Sequence, residues 1–98
     1  MEARKIIITG GATRIGAAIA EKLSGPNVEI TIHFNKSKSK AENLKKKLQK
    51  LGTTVYLIKG DLSKEKEIYN VIKFSKSKMK FFDCLINNAS LFENDKLE

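Results

Sequence analysis

No stretch of this 98-residue chain stays apolar for the roughly 20 residues a membrane-spanning helix needs, which excludes such a helix on length. The apolar run after the charged Glu2, Arg4 and Lys5 is only Ile6 to Ile8, too short for the core of a secretory signal, so a cytoplasmic location is expected. Cysteine occurs once, at Cys84, and no internal disulfide can form. Set in an apolar run, Cys84 reads as a buried small hydrophobe in a reducing compartment. Arginine is scarce too: of 19 basic residues only Arg4 and Arg14 are arginine, against 11 acidic residues and a net charge of +8. A nucleic-acid footprint draws on arginine, aromatics or a recognisable module. With only two arginines and no such module, the lysine excess reads as a solvated surface that favours anions, and nucleic acid is not the expected partner. Internal repeats and low-complexity linkers are also missing, and a single small domain over 1–98 is expected.

What is present is an alternation of apolar strands and amphipathic helices. Ala3 to Thr9, with three consecutive isoleucines, reads as a strand buried on both faces. Arg14 to Ser24 reads as a helix in which Ile15, Ile19 and Leu23 recur at every fourth position, and Ser24-Gly25-Pro26 ends it. Val28 to Phe34 alternates: Val28, Ile30, Ile32 and Phe34 share one face, and Glu29, Thr31 and His33 the other. His33 is read as a strand residue rather than a proton carrier. A second helix is expected from Ser39, where Ser39 and Glu42 have capping-box spacing. Ala41, Leu44, Leu48 and Leu51 form its apolar stripe, and its lysines the wet face. Thr54 to Lys59 reads as a third strand. Ser63 is the expected N-cap of a third helix, with Glu65 and Glu67 in its first turn and Ile68, Val71, Ile72, Ser75 and Met79 on one face. Phe81 to Ile86 reads as a fourth strand.

This βαβαβαβ order implies a parallel sheet with right-handed crossovers. The expected fold is α/β, a Rossmann-like doubly wound parallel sheet truncated to four strands in the order 3-2-1-4. Ligands bind such sheets at the switch point, here the crevice above the carboxyl ends of strands 1 and 4. Four loops would meet there: Gly10 to Gly16, Asn35 to Ser37, Asp61-Leu62, and Asn87 to Ser90.

The loop Thr9-Gly10-Gly11-Ala12-Thr13-Arg14-Ile15-Gly16 departs from both G-x-G-x-x-G and G-x-x-x-x-G-K-[ST]. Taken alone it reads either as a phosphate loop or as an ordinary tight turn. A strand before it and a helix after it favour the phosphate, because a helix start presents free N–H groups and a positive dipole end. At the end of strand 2, NAD sites place a carboxylate for the ribose hydroxyls, and NADP sites place basic groups for the 2′-phosphate. Asn35-Lys36-Ser37 contains no carboxylate. Lys36 offers a point charge, Ser37 a hydroxyl, and Arg14 approaches from the first loop, unless Lys36 is simply one surface lysine among many.

Taken together, Thr9-Gly10-x-x-x-x-Ile15-Gly16, Asp61-Leu62 and Asn87-Asn88-Ala89 resemble the short-chain dehydrogenase/reductase family. Arg14 stands where that family usually has glycine. Arg14, the segment His33-Phe34-Asn35-Lys36-Ser37, Ser90 in place of glycine, and Phe92 are together similar to the pteridine reductase branch, which includes dihydromonapterin-type reductases. The resemblance implies NADPH or NADP as cofactor. It would set Gly10, Arg14, Ile15 and Gly16 around the pyrophosphate and ribose, and Asn35, Lys36 and Ser37 at the 2′-phosphate. Asp61 and Leu62 would meet the adenine, Asn88, Ala89 and Ser90 the nicotinamide-side ribose and phosphates, and Phe92 the substrate. Plainer roles stand beside these: Asp61 opening a turn, Asn87 and Asn88 satisfying backbone groups at a strand end, and Phe92 a stray aromatic. No metal ligands are assigned.

The family's reaction uses a Tyr-x-x-x-Lys pair located beyond the fourth strand. Tyr69 to Lys73 matches that spacing literally but belongs to the helix between strands three and four, so no catalytic residue is assigned. The resemblance thus implies the NADPH-binding half of an oxidoreductase, inactive alone, and leaves open whether the chain is itself an enzyme. The rival reading is a non-catalytic remnant or assembly module. An uncovered fourth strand would seek a partner, either a second copy or the missing C-terminal half.

Overall fold

Ile6, Ile7 and Ile8 are all buried because the strand that carries them, β1 (Arg4–Thr9), lies inside a sheet covered on both faces. The computed structural model describes residues 4–88. After β1 come α1 (Arg14–Leu23), β2 (Val28–Phe34), α2 (Lys38–Lys50), β3 (Thr54–Lys59), α3 (Glu65–Met79) and β4 (Cys84–Asn87). All strand pairs are parallel and the order is β3-β2-β1-β4, as the alternation predicts.

Side chains alternate across a strand, so the isoleucines of β1 split between two cores. Ile6 and Ile8 join Ile30, Ile32 and Val55 beneath Ala20 of α1 and Leu44 and Leu48 of α2. Ile7 faces the other way, against Val71 and Met79 of α3. Each fully buried isoleucine contributes roughly 1.5–3 kcal/mol. The chain therefore crosses from one face of the sheet to the other between β3 and β4, which is what makes it doubly wound. The alternation in β2 is real, but both of its faces are covered. Thr31 and His33, on the face opposite Ile30 and Ile32, are buried as well.

Several helix and strand ends differ from the sequence reading. Thr13 caps α1, its Oγ1 accepting from the Gly16 N–H at 3.1 Å. On α1, Ala20 is buried and Ile15 is exposed, so the apolar stripe is rotated away from Ile15. The capping box at Ser39 and Glu42 does not form, because α2 already begins at Lys38 with Ser37 as its N-cap. Lys64 replaces Ser63 as the N-cap of α3. Ser63 instead donates to the Asp61 carboxylate, from its N–H at 3.0 Å and its hydroxyl at 2.7 Å, a local turn that competes with capping. The fourth strand starts at Cys84 rather than Phe81. Just before it, the Asp83 carboxylate takes the Lys5 N–H at 2.8 Å, while the Asp83 N–H donates to the Lys5 carbonyl at 2.7 Å. Cys84 is exposed rather than buried: β4 is an outer strand, and no described element covers it. Ile68, Leu51, Phe81 and Leu85 are exposed too. No helix of the described residues is long and apolar enough to cross a membrane.

Candidate cofactor site

The chain turns sharply out of β1 at Gly10, whose φ of 65° lies in the region that favours glycine. Gly16 is required by a close approach instead: a Cβ there would lie 2.4 Å from the Gly10 carbonyl oxygen and 2.7 Å from the Gly11 Cα. The Gly10 carbonyl accepts from the Thr13 hydroxyl at 2.8 Å and from Asn88 Nδ2 at 2.9 Å. Asn88 Nδ2 also donates to Thr13 Oγ1 at 3.0 Å, so the end of β4 is bonded directly to the loop after β1.

The loop's N–H groups divide into two sets. Gly10 donates to His33 Nδ1 at 3.0 Å, Gly11 to the His33 carbonyl at 2.9 Å, Thr13 to the Gly10 carbonyl at 3.2 Å, and Gly16 to Thr13. The N–H groups of Ala12, Arg14 and Ile15 make no hydrogen bond among the described residues. They sit at the N-terminal end of α1, where the helix dipole favours an anion. Nearby, Asn88 is buried and its Oδ1 has no partner among the described residues, which leaves an acceptor open to a donor.

His33 is the functional residue that the sequence reading undervalued. Its Nδ1 accepts from Gly10, so its Nε2 carries the proton and donates to the Gly60 carbonyl at 2.7 Å. Burial pushes its pKa below the ordinary value, opposed by the Gly60 carbonyl and the Glu67 carboxylate. A neutral imidazole thus bolts the loop after β1 to the loop after β3. The signal was available: a polar side chain at an inward position near the carboxyl end of a central strand.

The remaining residues fall into separate groups. The Asp61 carboxylate is held below its usual range by its bonds from the Ser63 hydroxyl and N–H, which outweigh the opposing effect of desolvation, with lesser contributions from Lys64 and Lys36. Its side chain therefore opens a turn, and Lys36 lies on the Asp61 side of the site. Leu62 borders an apolar hollow of about 80 Å³ with Thr9, Val71, Leu85 and Asn87. Asn35, Lys36 and Ser37 are exposed. A larger groove of about 500 Å³ runs between α1 and α2, lined by Thr13, Arg14, Ala17, Lys40, Asn43 and Lys47 among others. Lys36 and Ser37 do not line it. Tyr69 and Lys73 are exposed on α3. Ala89, Ser90 and Phe92 lie outside the described residues. Among the described residues, no three His, Cys, Asp or Glu side chains gather where a metal could bind.

A parallel sheet of order 3-2-1-4, with a glycine turn entering a helix at its switch point, defines the doubly wound α/β class in which nucleotides bind above the strand ends. Residues 4–98 match the family described as short chain dehydrogenase, and the chain belongs to that family. It is 31% identical over 85 residues to the short-chain dehydrogenase/reductase homolog YusS of Bacillus subtilis strain 168, a match covering 87% of this chain and 78% of that one. A short-chain dehydrogenase of Oenococcus oeni PSU-1 superposes with a TM-score of 0.81 at 30% identity, over 88% of this chain and 40% of the other. A dehydrogenase of Burkholderia cenocepacia with bound NADP superposes with a TM-score of 0.83 at 25% identity, over 88% of this chain and 34% of the other. The chain thus spans well under half the length of these two solved structures, though most of YusS.

Proposed function

We propose that this chain holds NADPH or NADP for a short-chain oxidoreductase. The observation that carries the reading is the trio of N–H groups at Ala12, Arg14 and Ile15, unpaired among the described residues, on a loop whose other backbone donors are committed. They suit the pyrophosphate of a dinucleotide. Gly10 and Gly16 shape the loop that presents them. The orphaned Oδ1 of Asn88 suits a hydroxyl of the nicotinamide-side ribose, with Ala89 and Ser90 next in the chain. Asp61 and Leu62 border the adenine end. The absence of a carboxylate in Asn35-Lys36-Ser37, together with Arg14, favours the phosphorylated cofactor, and the NADP-bound Burkholderia relative points the same way. Bound NADPH would supply a hydride, and the residues named here would bind and orient it.

The proposal extends to a single domain over 1–98, to a cytoplasmic location and to a pteridine as substrate. The pteridine rests on Arg14, Asn35 to Ser37, Ser90 and Phe92. His33 adds nothing to it, since its ring is fully occupied in bolting two loops together. Because no described residue stands as its proton donor, the chain alone is expected to turn over no substrate. The exposed outer strand β4, with Cys84, Leu85 and neighbouring Phe81 uncovered, favours a second reading, in which the chain works by assembling with a second copy or a complementary half. A sedimentation profile of a clean monomer, with fast amide exchange along β4 in the presence of candidate partners, would count against that reading.

Titration calorimetry with NADPH and NADH tests the main reading. Tighter binding of NADPH is expected, without turnover. Failure to bind either dinucleotide, or equal affinity for the two, would overturn it.

A further inference from the structure

We propose that His33 is a proton-operated latch on the glycine loop: when its ring takes up a proton, Gly10 is released and the loop loses the conformation that presents Ala12, Arg14 and Ile15. Dinucleotide binding at the loop then expels a proton from the ring. The second statement rests on the cofactor reading above, and the first on the chain alone. His33 acts through Gly10, so it is a positioning residue.

The ring is 2% exposed and has one partner on each nitrogen, the Gly10 N–H on Nδ1 at 3.0 Å and the Gly60 carbonyl on Nε2 at 2.7 Å. Nδ1 accepts from Gly10 only while it carries no proton. An imidazolium has an N–H on both nitrogens, so protonation keeps the Gly60 bond and sets two donors face to face at Gly10. Gly10 does not move by itself. Its carbonyl takes the Thr13 hydroxyl at 2.8 Å and Asn88 Nδ2 at 2.9 Å, and Thr13 caps α1. Displacement of Gly10 therefore reaches the start of α1, where the N–H trio lies. A counter-charge for the ring is also in place. Glu67 Oε1 and His33 Cδ2 border the same space over Gly60, 3.2 Å and 3.8 Å from where a Cβ would stand. The Glu67 carboxylate makes no ion pair among the described residues and accepts there only at long range, from the Asp61 N–H at 3.4 Å and Asn70 Nδ2 at 3.5 Å. The other charged groups of the surrounding elements are turned elsewhere. Asp61 is held by Ser63, Glu29 takes the Tyr56 hydroxyl, and Lys59, Lys64, Glu65 and Lys66 are exposed. Arg4 and Lys5 stand at the far end of β1, and α1 and α2 cover the opposite face of the sheet. Burial disfavours the charged ring, while the Gly60 carbonyl and the Glu67 carboxylate favour it.

His33 is the only histidine in the chain, so NMR reads its titration without ambiguity. The whole chain is titrated from neutral pH down to the lowest pH at which circular dichroism shows it folded. The amides of Gly10, Ala12, Arg14 and Ile15 are expected to shift with the midpoint of the imidazole. Glu67→Gln is expected to lower that midpoint, because it removes a charge that favours the imidazolium. A ring that takes no proton in the folded chain, or loop amides that stay flat or move with a different midpoint, would overturn the latch. Saturation with NADP is expected to lower the midpoint too, since a ligand that prefers the neutral state and the proton must oppose each other reciprocally. NADP affinity is expected to fall by up to about tenfold for each pH unit below the midpoint. His33→Asn, whose amide accepts from Gly10 but takes no proton, should lose this fall, apart from the slope that the 2′-phosphate itself supplies near about pH 6. An unmoved midpoint with NADP bound, or the same fall in His33→Asn, would overturn the coupling. If NADP binds at no pH, the cofactor reading fails. Amides that track the ring would then still uphold the latch, and flat amides would reject it as well.

Discussion

Replacing His33 with phenylalanine tests the bolt between the two loops. The phenyl ring fills much of the same buried volume, so the loss is dominated by two hydrogen bonds: Gly10 N–H to Nδ1 at 3.0 Å and Nε2–H to the Gly60 carbonyl at 2.7 Å. Both backbone groups would be stranded. At about 1–3 kcal/mol for each stranded group, the cost is about 2–6 kcal/mol, a large part of the roughly 5–15 kcal/mol that a small domain has in hand. The same bolt makes stability depend on pH. The unfolded imidazole titrates near its ordinary value of 6.5, and the folded one titrates lower because burial disfavours its charge. Between those two values the unfolded chain binds more protons, so stability is level above about pH 6.5 and falls as pH drops below it. Urea unfolding followed by circular dichroism, at a series of pH values from about 5 to 8, measures both effects. The His33→Phe variant is expected to start lower and to lack the slope that sets in below about pH 6.5. A loss under about 0.5 kcal/mol, or an unchanged slope in the variant, would refute the bolt.

Three further substitutions probe the same geometry. Gly16→Ala forces a Cβ to within 2.4 Å of the Gly10 carbonyl oxygen, so a loss of about 1–3 kcal/mol in urea unfolding and weaker dinucleotide binding by calorimetry are expected together. Asn88→Ala removes the donor to Gly10 and Thr13. Amide exchange over Gly10 to Gly16 should quicken on the order of tenfold, and unchanged protection would mean the loop stands without it. Thr31→Val replaces a buried hydroxyl that has no partner among the described residues with a methyl group. Stability should stay within about 0.5 kcal/mol or rise by up to about 1 kcal/mol, and a loss beyond that would show the hydroxyl to be bonded.

The strand order and the two cores were legible because they rest on periodicity and on right-handed crossovers, which local sequence carries. The alternation of Val28 to Phe34 and the isoleucine run of β1 needed no tertiary information. Helix starts were less legible. Ser37 and Ser39 both stand at the head of α2, and Ser63 is drawn into a turn by Asp61, a competition that spacing cannot weigh. The burial of Cys84 depended on what covers β4, which no residue near Cys84 encodes. The glycine loop was recognised as a loop, but its three unpaired N–H groups emerged only once the other donors had partners.

The Thr13 hydroxyl carries one proton and two lone pairs, and all three are in use: it donates to Gly10 and accepts from Gly16 and Asn88. It is a filled node that joins residues 75 positions apart in the chain. The loop is thus built before any ligand arrives, so little ordering cost falls on the ligand. The same node ties that loop to the point where the chain leaves the sheet. Any displacement of Asn88 costs Thr13 and Gly10 a donor. Were a dinucleotide to occupy the loop, its binding and the placement of Asn88 would be linked, each biasing the other by the same free energy.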